Sequence, residues 1–474
     1  MKVLFATPEC APIAKTGGLG DVSAALPAAL RRAGLDARVL VPGYPSVLAA
    51  SPKARELARF SLFPARIDVR LRESALPNGV PLVIIDCPLL YDRPGLYQRE
   101  DGHEWEDNAL RFGVLSKVAA MLGSAESPLT WRADVVHCND WQASLAPVYL
   151  AQAPAPRART VVTIHNLAFQ GVYPMHEAAP LAIPAAALGM DGLEYYGQIS
   201  FLKGGLMYAE AITTVSPTYA REIQKEALGF GLDGVLRHRA SVLHGVRNGI
   251  DTELWNPATD PRIPRNYSAA TLDDKAENKR ALKERLHLPG GDGLPLLGLV
   301  SRLTHQKGID VLAQAGHAIA ALPAQVVVLG TGDREMVGAL QAMRSRHPGE
   351  FSVTIGFDED LAHQVEAGSD IFLMPSRFEP CGMNQMYSQR YGTLPVANAT
   401  GGLLDTITDG ETGFLIDQVT MPALMDGLQR ALGVYKQPGK WRAMQKAAMA
   451  RDFGWDGAAR EYAAIYERVM VIPA

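Results

Sequence analysis

Short apolar runs recur along the chain at even intervals: Val39-Leu40-Val41, Leu82-Val83-Ile84-Ile85, Val135-Val136-His137, Thr160-Val161-Val162-Thr163-Ile164 and Ala211-Ile212-Thr213-Thr214-Val215. Helix-like segments separate most of them. Runs apolar at nearly every position predict strands buried on both faces. Their alternation with helices predicts a parallel sheet covered on either side. Between residues 248 and 295 the pattern breaks. Asn256-Pro257, Pro261, Pro264 and Asn266 favour loop, and a charged helix is predicted over Asp273–His287. A second series of strands follows at Leu296–Val300, Gln325–Leu329, Val353–Ile355, Ile371–Met374 and Leu394–Val396. Both halves open alike, with a strand, a loop carrying lysine and glycine (Lys15/Gly17; Lys307/Gly308), then a helix. The predicted fold class is α/β, with two Rossmann-like, doubly wound domains facing a central cleft. Such sheets bind ligands at the carboxyl ends of their strands.

Composition narrows the class. The 474 residues exceed one core, and 47% hydrophobic with 20% charged residues is ordinary for a soluble globular protein. A net charge of −4 argues against broad nucleic-acid or anionic-membrane binding. Any phosphate must then be held by a few local cations. Cys10, Cys87, Cys138 and Cys381 show neither CxxC pairing nor regular spacing, as expected of thiols in a reducing compartment. No secretory leader and no apolar stretch of about 18 residues is visible. The expectation is a cytoplasmic protein with no nucleic-acid or membrane partner; the sequence does not fix its oligomeric state.

The first chemical signal is Lys15-Thr16-Gly17-Gly18-Leu19-Gly20-Asp21-Val22, after an apolar strand at Lys2–Ala6 and before a helix predicted over Val22–Ala33. A lysine beside a helix N-terminus suits an anion. A tight strand-to-helix turn with a solvent-facing lysine would give the same pattern. Dinucleotide binding is disfavoured. Gly18 to Ser23 has only a GxGxxS form, and Pro42-Gly43-Tyr44 follows the second strand where a ribose-binding acid belongs. A second cation pair, Arg302 and Lys307, spans the strand-to-helix turn that opens the second half. Two cations there suit a diphosphate whose charge grows as it leaves.

Further signals cluster at other strand ends. Gly330-Thr331-Gly332-Asp333 follows one strand, and Gly356-Phe357, offering an aromatic face to a base, follows the next. Asp358-Glu359-Asp360 fits the DxD spacing of metal-dependent transferases, but Asp360 is expected to cap a helix. In Arg377-Phe378-Glu379-Pro380-Cys381-Gly382-Met383-Asn384 a helix is predicted from Cys381-Gly382, with amides facing a phosphate and Glu379 gripping sugar hydroxyls. His137-Cys138-Asn139-Asp140-Trp141 and Thr163-Ile164-His165-Asn166-Leu167 suggest a polyol-binding wall. No HxxxH or HExxH spacing occurs, so no metal site is expected.

Taken in order, these stretches resemble the bacterial glycogen synthases and plant starch synthases, which extend α-1,4-glucan from ADP-glucose. Further matching pieces are His165–Gly171, Gly197–Lys203, Val215–Ala220, Asp274–Lys279, Ser301–Thr304 and Pro375–Gly382, and the similarity runs along nearly the whole chain. The resemblance implies the GT-B fold, retention at the anomeric carbon, no metal, and no cofactor, ADP-glucose being a substrate and glycogen or another α-glucan the acceptor. It implies domains over 1–248 (acceptor side) and 249–454 (nucleotide-sugar side), with 455–474 a helix returning to the first.

The residues expected to be catalytic are Glu379, His165, Arg302 and Lys307. Lys15, Arg302 and Lys307 would hold the diphosphate, and Glu379 and His165 the donor glucose. Asp140 and Asn248 would lie near the transferred sugar and acceptor. Gly17, Gly18, Asp21 and Tyr97 complete the expected binding set in the first half, and Gly332, Phe357, Cys381, Gly382, Met383 and Asn384 in the second. The chain departs from the family pattern at Phe357, where Tyr is usual, at Asn384, where Thr is usual, and in a shorter link from Gly401–Thr406 to Thr412. A same-fold glucan phosphorylase using pyridoxal phosphate, a UDP-glucose-using synthase and a non-catalytic glucan-binding protein are the alternatives. No carboxylate stands out as a nucleophile, so two-step and same-face routes to retention stay open.

Overall fold

The computed structural model describes residues 1–291 and 293–471. Its contacts divide the chain into two units, Met1–Gly249 with Trp455–Ala474, and Ile250–Gly454.

The first unit is built on β1 (Lys2–Ala6), β2 (Asp36–Pro42), β3 (Arg55–Leu62), β4 (Ile67–Ala75), β5 (Pro81–Asp86), β6 (Val135–Asn139) and β7 (Arg159–Ile164). After β8 (Val172–Pro174), β9 (Glu194–Tyr195) and β10 (Gln198–Ser200), which form a small separate sheet, come β11 (Ala211–Thr214) and β12 (Leu243–Gly245). The main sheet runs β12-β11-β7-β6-β1-β2-β5-β4-β3. Its centre is parallel, and β3 and β4 add an antiparallel edge. That edge escapes a search for continuous apolar runs. In β4 buried Ile67, Val69 and Leu71 alternate with more exposed residues, and β3 buries only Leu62, so neither strand reads as a continuous apolar run.

The helix after β1 spans Gly18–Arg32 and buries Leu19, Val22, Leu26 and Leu30 on one face. It starts four residues before the predicted Val22, because Gly17 already serves as N-cap in an extended conformation. The last helix, Trp455–Met470, belongs to this unit. Its Tyr466 hydroxyl bonds His137 Nδ1 at 2.7 Å, and Thr163 Oγ1 bonds the other ring nitrogen at 2.5 Å. His137 is therefore a core residue and no part of a sugar-binding wall. Burial drives its pKa down to about 3, so the ring is neutral.

The second unit has one parallel sheet of β13 (Leu296–Leu303), β14 (Gln325–Gly332), β15 (Phe351–Ile355), β16 (Ile371–Met374), β17 (Leu394–Asn398) and β18 (Phe414–Ile416), in the order β15-β14-β13-β16-β17-β18. Gly330-Thr331-Gly332 continues β14 and does not form the loop predicted after it. The charged helix is Lys275–Arg285, shorter at both ends than predicted. A 3-10 turn over Leu272–Asp274 precedes it, and His287 beyond it adopts a φ of +53°, which no α-helix accommodates. The ends of this unit meet where Ile250 N donates to Phe453 O at 2.8 Å. No helix among the described residues is long and apolar enough to cross a membrane.

In each sheet the chain reverses its winding beside the first strand, between β1 and β6 and between β13 and β16. A crevice at the carboxyl ends of those strands is the expected ligand site.

Candidate functional site

In the first unit the loop after β1 brings Lys15 and Asp21 together, ammonium to carboxylate at 2.7 Å, with 45% of the lysine side chain exposed. The loop is shaped by Glu9, which no motif in the sequence singles out. One Glu9 oxygen accepts from Thr16 N (2.8 Å) and Gly17 N (3.1 Å), and the other from Thr16 Oγ1 (2.7 Å) and Tyr97 Oη (2.6 Å). The Thr16 and Gly17 amides of this turn are thus already bonded within the protein. Gly17 has φ −150° with open space around an added Cβ, so backbone strain does not require it. Its bare surface leaves the loop open. Tyr97 is delivered by Arg111 and Asn108. Arg111 Nη1 bonds Leu96 O and Asn108 Oδ1, and Asn108 Nδ2 bonds Tyr97 O. Burial, then the Glu9 carboxylate, raises the Tyr97 pKa well above the ordinary phenol range, so its hydroxyl donates.

At the ends of β6 and β7, Asn139 Nδ2 donates to the carbonyls of Ala6 and His137, which fixes the amide's orientation. Asn139 Oδ1 therefore accepts from His165 Nε2 at 2.9 Å. His165 must carry its proton on Nε2 and a lone pair on Nδ1. Burial lowers its pKa to about 3, which keeps that acceptor available. Asp140, held at φ +55°, accepts from His165 N at 2.7 Å. Burial pushes its pKa up to about 7 against the lowering effect of two backbone N–H donors. Beyond β11, Asn248 is buried, with no hydrogen-bond partner for its Oδ1 among the described residues. Gly171, at φ +60°, packs where a Cβ would lie 2.4 Å from the Trp141 ring.

Asp140 gives a pH test. Its native carboxyl holds a proton more tightly than the unfolded one, whose pKa is about 3.9. Between those values the folded state binds more protons, so this group's contribution to stability falls as pH rises from about 4 to about 7 and stays low above. Melting temperatures at about pH 5 and about pH 8 should therefore drop more in the wild type than in Asp140→Asn. Equal drops would mean that the carboxyl is ionised throughout.

In the second unit two loops lock together. Arg377 reaches Asp310 with both guanidinium nitrogens at 2.7 Å and donates to His305 O at 2.6 Å. Gly308, at φ +70°, passes so close to Pro375 that a Cβ would lie 2.0 Å from its carbonyl oxygen. This clamp presents Lys307 Nζ to Glu379 Oε2 at 2.5 Å, with Ser376 Oγ donating to the same oxygen at 3.1 Å. Glu379 is 6% exposed, and its carbonyl accepts from Gly402 N at 3.0 Å. Arg302, at the end of β13, is exposed and makes no ion pair among the described residues.

The remaining predicted residues sort themselves. The helix after Glu379 is Asn384–Arg390, not from Cys381-Gly382: Gly382 at φ +67° is still in the turn, Gln385 Nε2 bonds the carbonyls of Cys381 and Gly382, and Met383 is the N-cap. Asn384 Nδ2 donates to Val300 O, which ties this helix start to β13. Cys381 is buried. Gly332 has a packing reason, since a Cβ there would sit 2.3 Å from Leu303 O. Phe357 is 87% exposed, open for stacking. Asp358, not Asp360, caps the helix Glu359–Gly368 through Leu361 N, while Asp360 pairs with Arg262.

Two doubly wound units, each gathering cations and carboxylates at the strand ends beside its winding reversal, define a glycosyltransferase of the GT-B class. Residues 2–238 match the starch synthase catalytic domain family and residues 283–448 the glycosyl transferases group 1 family. The glycogen synthase of Aromatoleum aromaticum is 52% identical over 98% of this chain and 96% of its own, and that of Nitrosomonas eutropha 49% identical over 99% and 96%. The chain belongs to the glycogen synthase and starch synthase family. The catalytic domain of starch synthase IV from Arabidopsis thaliana, solved bound to ADP and acarbose, superposes with a TM-score of 0.90 at 30% identity over 99% of both chains. Sucrose-phosphate synthase from Thermosynechococcus elongatus, at 16% identity and a TM-score of 0.60 over 99% of this chain and 98% of its own, shares the fold.

Proposed function

We propose that this protein builds glycogen by moving glucose from ADP-glucose to the non-reducing 4-OH of an α-1,4-glucan, with retention at the anomeric carbon. The observation that carries the reading is the Lys307–Glu379 pair, together with Arg302, which makes no ion pair among the described residues, at the winding reversal of the second unit. Arg302 and Lys307 take the diphosphate and stabilise the charge that grows on it as the glycosidic bond breaks. Glu379 faces the sugar, where its carboxylate balances the positive charge developing at the anomeric carbon. Lys15 is assigned to the same diphosphate, and the His165 Nδ1 lone pair accepts from a glucose hydroxyl. Asp140 and Asn248 are assigned to the transferred sugar and acceptor, and Phe357 to the adenine face. The ADP held by the Arabidopsis starch synthase supports ADP-glucose as donor.

The test is to incubate the protein with ADP-glucose or UDP-glucose, with and without glycogen, and to follow diphosphate release and new α-1,4 linkages. ADP release that requires glycogen and is at least tenfold faster than UDP release is expected. Release of glucose 1-phosphate from glycogen and inorganic phosphate instead would mean a phosphorylase. No turnover in any mixture would leave glucan binding as the role.

A further inference from the structure

The loop after β1 has the composition of an anion-binding turn, yet a carboxylate of the same chain occupies it. Glu9 is 4% exposed and takes four hydrogen bonds, two from the Thr16 and Gly17 amides and two from the Thr16 and Tyr97 hydroxyls. All four donors are neutral, and Glu9 makes no ion pair among the described residues. The only cation of the loop, Lys15, is turned to Asp21. Glu9 therefore places a carboxylate with no cation against it where the loop would otherwise present the Thr16 and Gly17 amides outward.

We infer that Glu9 is an internal anion that positions the Lys15 loop and limits how tightly this loop grips a diphosphate. The donor meets Lys15 here, not the Thr16 and Gly17 amides, and free diphosphates, including the nucleotide product, are held weakly enough to leave. This makes Glu9 a positioning residue that sets selectivity between sugar nucleotide and bare diphosphate. It rests on the assignment of Lys15 to the diphosphate.

Charge and shape separate cleanly here. A glutamine at position 9 can place its carbonyl oxygen toward the two backbone amides and its NH2 toward the two hydroxyls, each of which can turn to accept. Glu9→Gln thus keeps every hydrogen bond and removes only the charge. A unit charge acting near a protein surface changes anion affinity by about tenfold. Tyr97→Phe does the opposite. It keeps the charge and removes one of the donors that disperse it.

The experiment measures inhibition by pyrophosphate and by ADP against ADP-glucose at saturating glycogen, with melting temperatures, in wild type and both full-length variants. Glu9→Gln is expected to lower both inhibition constants about tenfold at an unchanged melting temperature, with the KM for glycogen unmoved. Tyr97→Phe is expected to raise them about twofold. A residue that merely braces the loop would weaken binding in both variants, and that shared direction would overturn the inference. A Glu9→Gln variant that fails to fold counts against the inference, which has that substitution remove only the charge, and so does inhibition of Tyr97→Phe equal to or tighter than wild type's. Competitive inhibition in the wild type with no response in either variant sinks this inference only. Absence of competition in the wild type removes the Lys15 assignment beneath it.

Discussion

Replacing Glu379 with Gln should lower kcat for glucosyl transfer by about a thousandfold while leaving the KM for ADP-glucose within a few-fold of wild type. Glutamine fills the same space, and Ser376 can still bond it. What is lost is a charge almost wholly shielded from water, 2.5 Å from the Lys307 ammonium. In such a site one misplaced charge or donor costs about 10²–10³ in rate, because nothing needs to reorganise around it during the reaction. The charge matters most when positive character appears at the anomeric carbon, so kcat falls and ground-state binding does not. Steady-state kinetics with a melting curve checks this. A loss of less than tenfold at an unchanged melting temperature would remove Glu379 from its role.

Arg302→Ala is the second large effect, and a cleaner one. Arg302 is exposed and has no ion-pair partner among the described residues, so its removal leaves no orphaned group inside the protein. The expected result is a fall in kcat/KM of about 10²–10³ with no more than a degree of change in melting temperature. Lys307→Ala makes the contrast. It should cut activity similarly but also lower the melting temperature, because Glu379 then stays buried without its cation. Full activity in Arg302→Ala would place the diphosphate elsewhere.

What could be read in advance follows from how each part is stabilised. Strands β5, β6, β7, β13, β14 and β16 are buried on both faces and announce themselves as unbroken apolar runs. The β3–β4 edge has one wet face and hides among charged residues. Lys15 and Lys307 stand out in the sequence as lysines within two residues of a glycine in a strand-to-helix connection, and Arg302 and Glu379 as charges at or soon after the end of an apolar strand. Glu9 is not marked out by any motif, because its work is defined by partners distant in sequence, such as Tyr97, 88 positions away. His137 misled for the same reason, its partner Tyr466 lying 329 positions on. The start of the helix at Asn384 was lost to Gly382, whose positive φ delays the first turn.

The return of the last helix has a consequence for how the protein is made. Translation produces residues 1–249, then the whole of the second unit, and only then Trp455–Met470. Until that segment emerges, His137 lacks Tyr466, and the sites later filled by Trp455 and Tyr462 stand open. The second unit, whose ends are joined by Ile250 and Phe453, has all its own strands earlier and can complete itself first. The part of the protein begun first is therefore finished last. A nascent chain halted before Trp455 would carry a mature second unit behind a first unit still exposing apolar surface, a form that chaperones would be expected to hold.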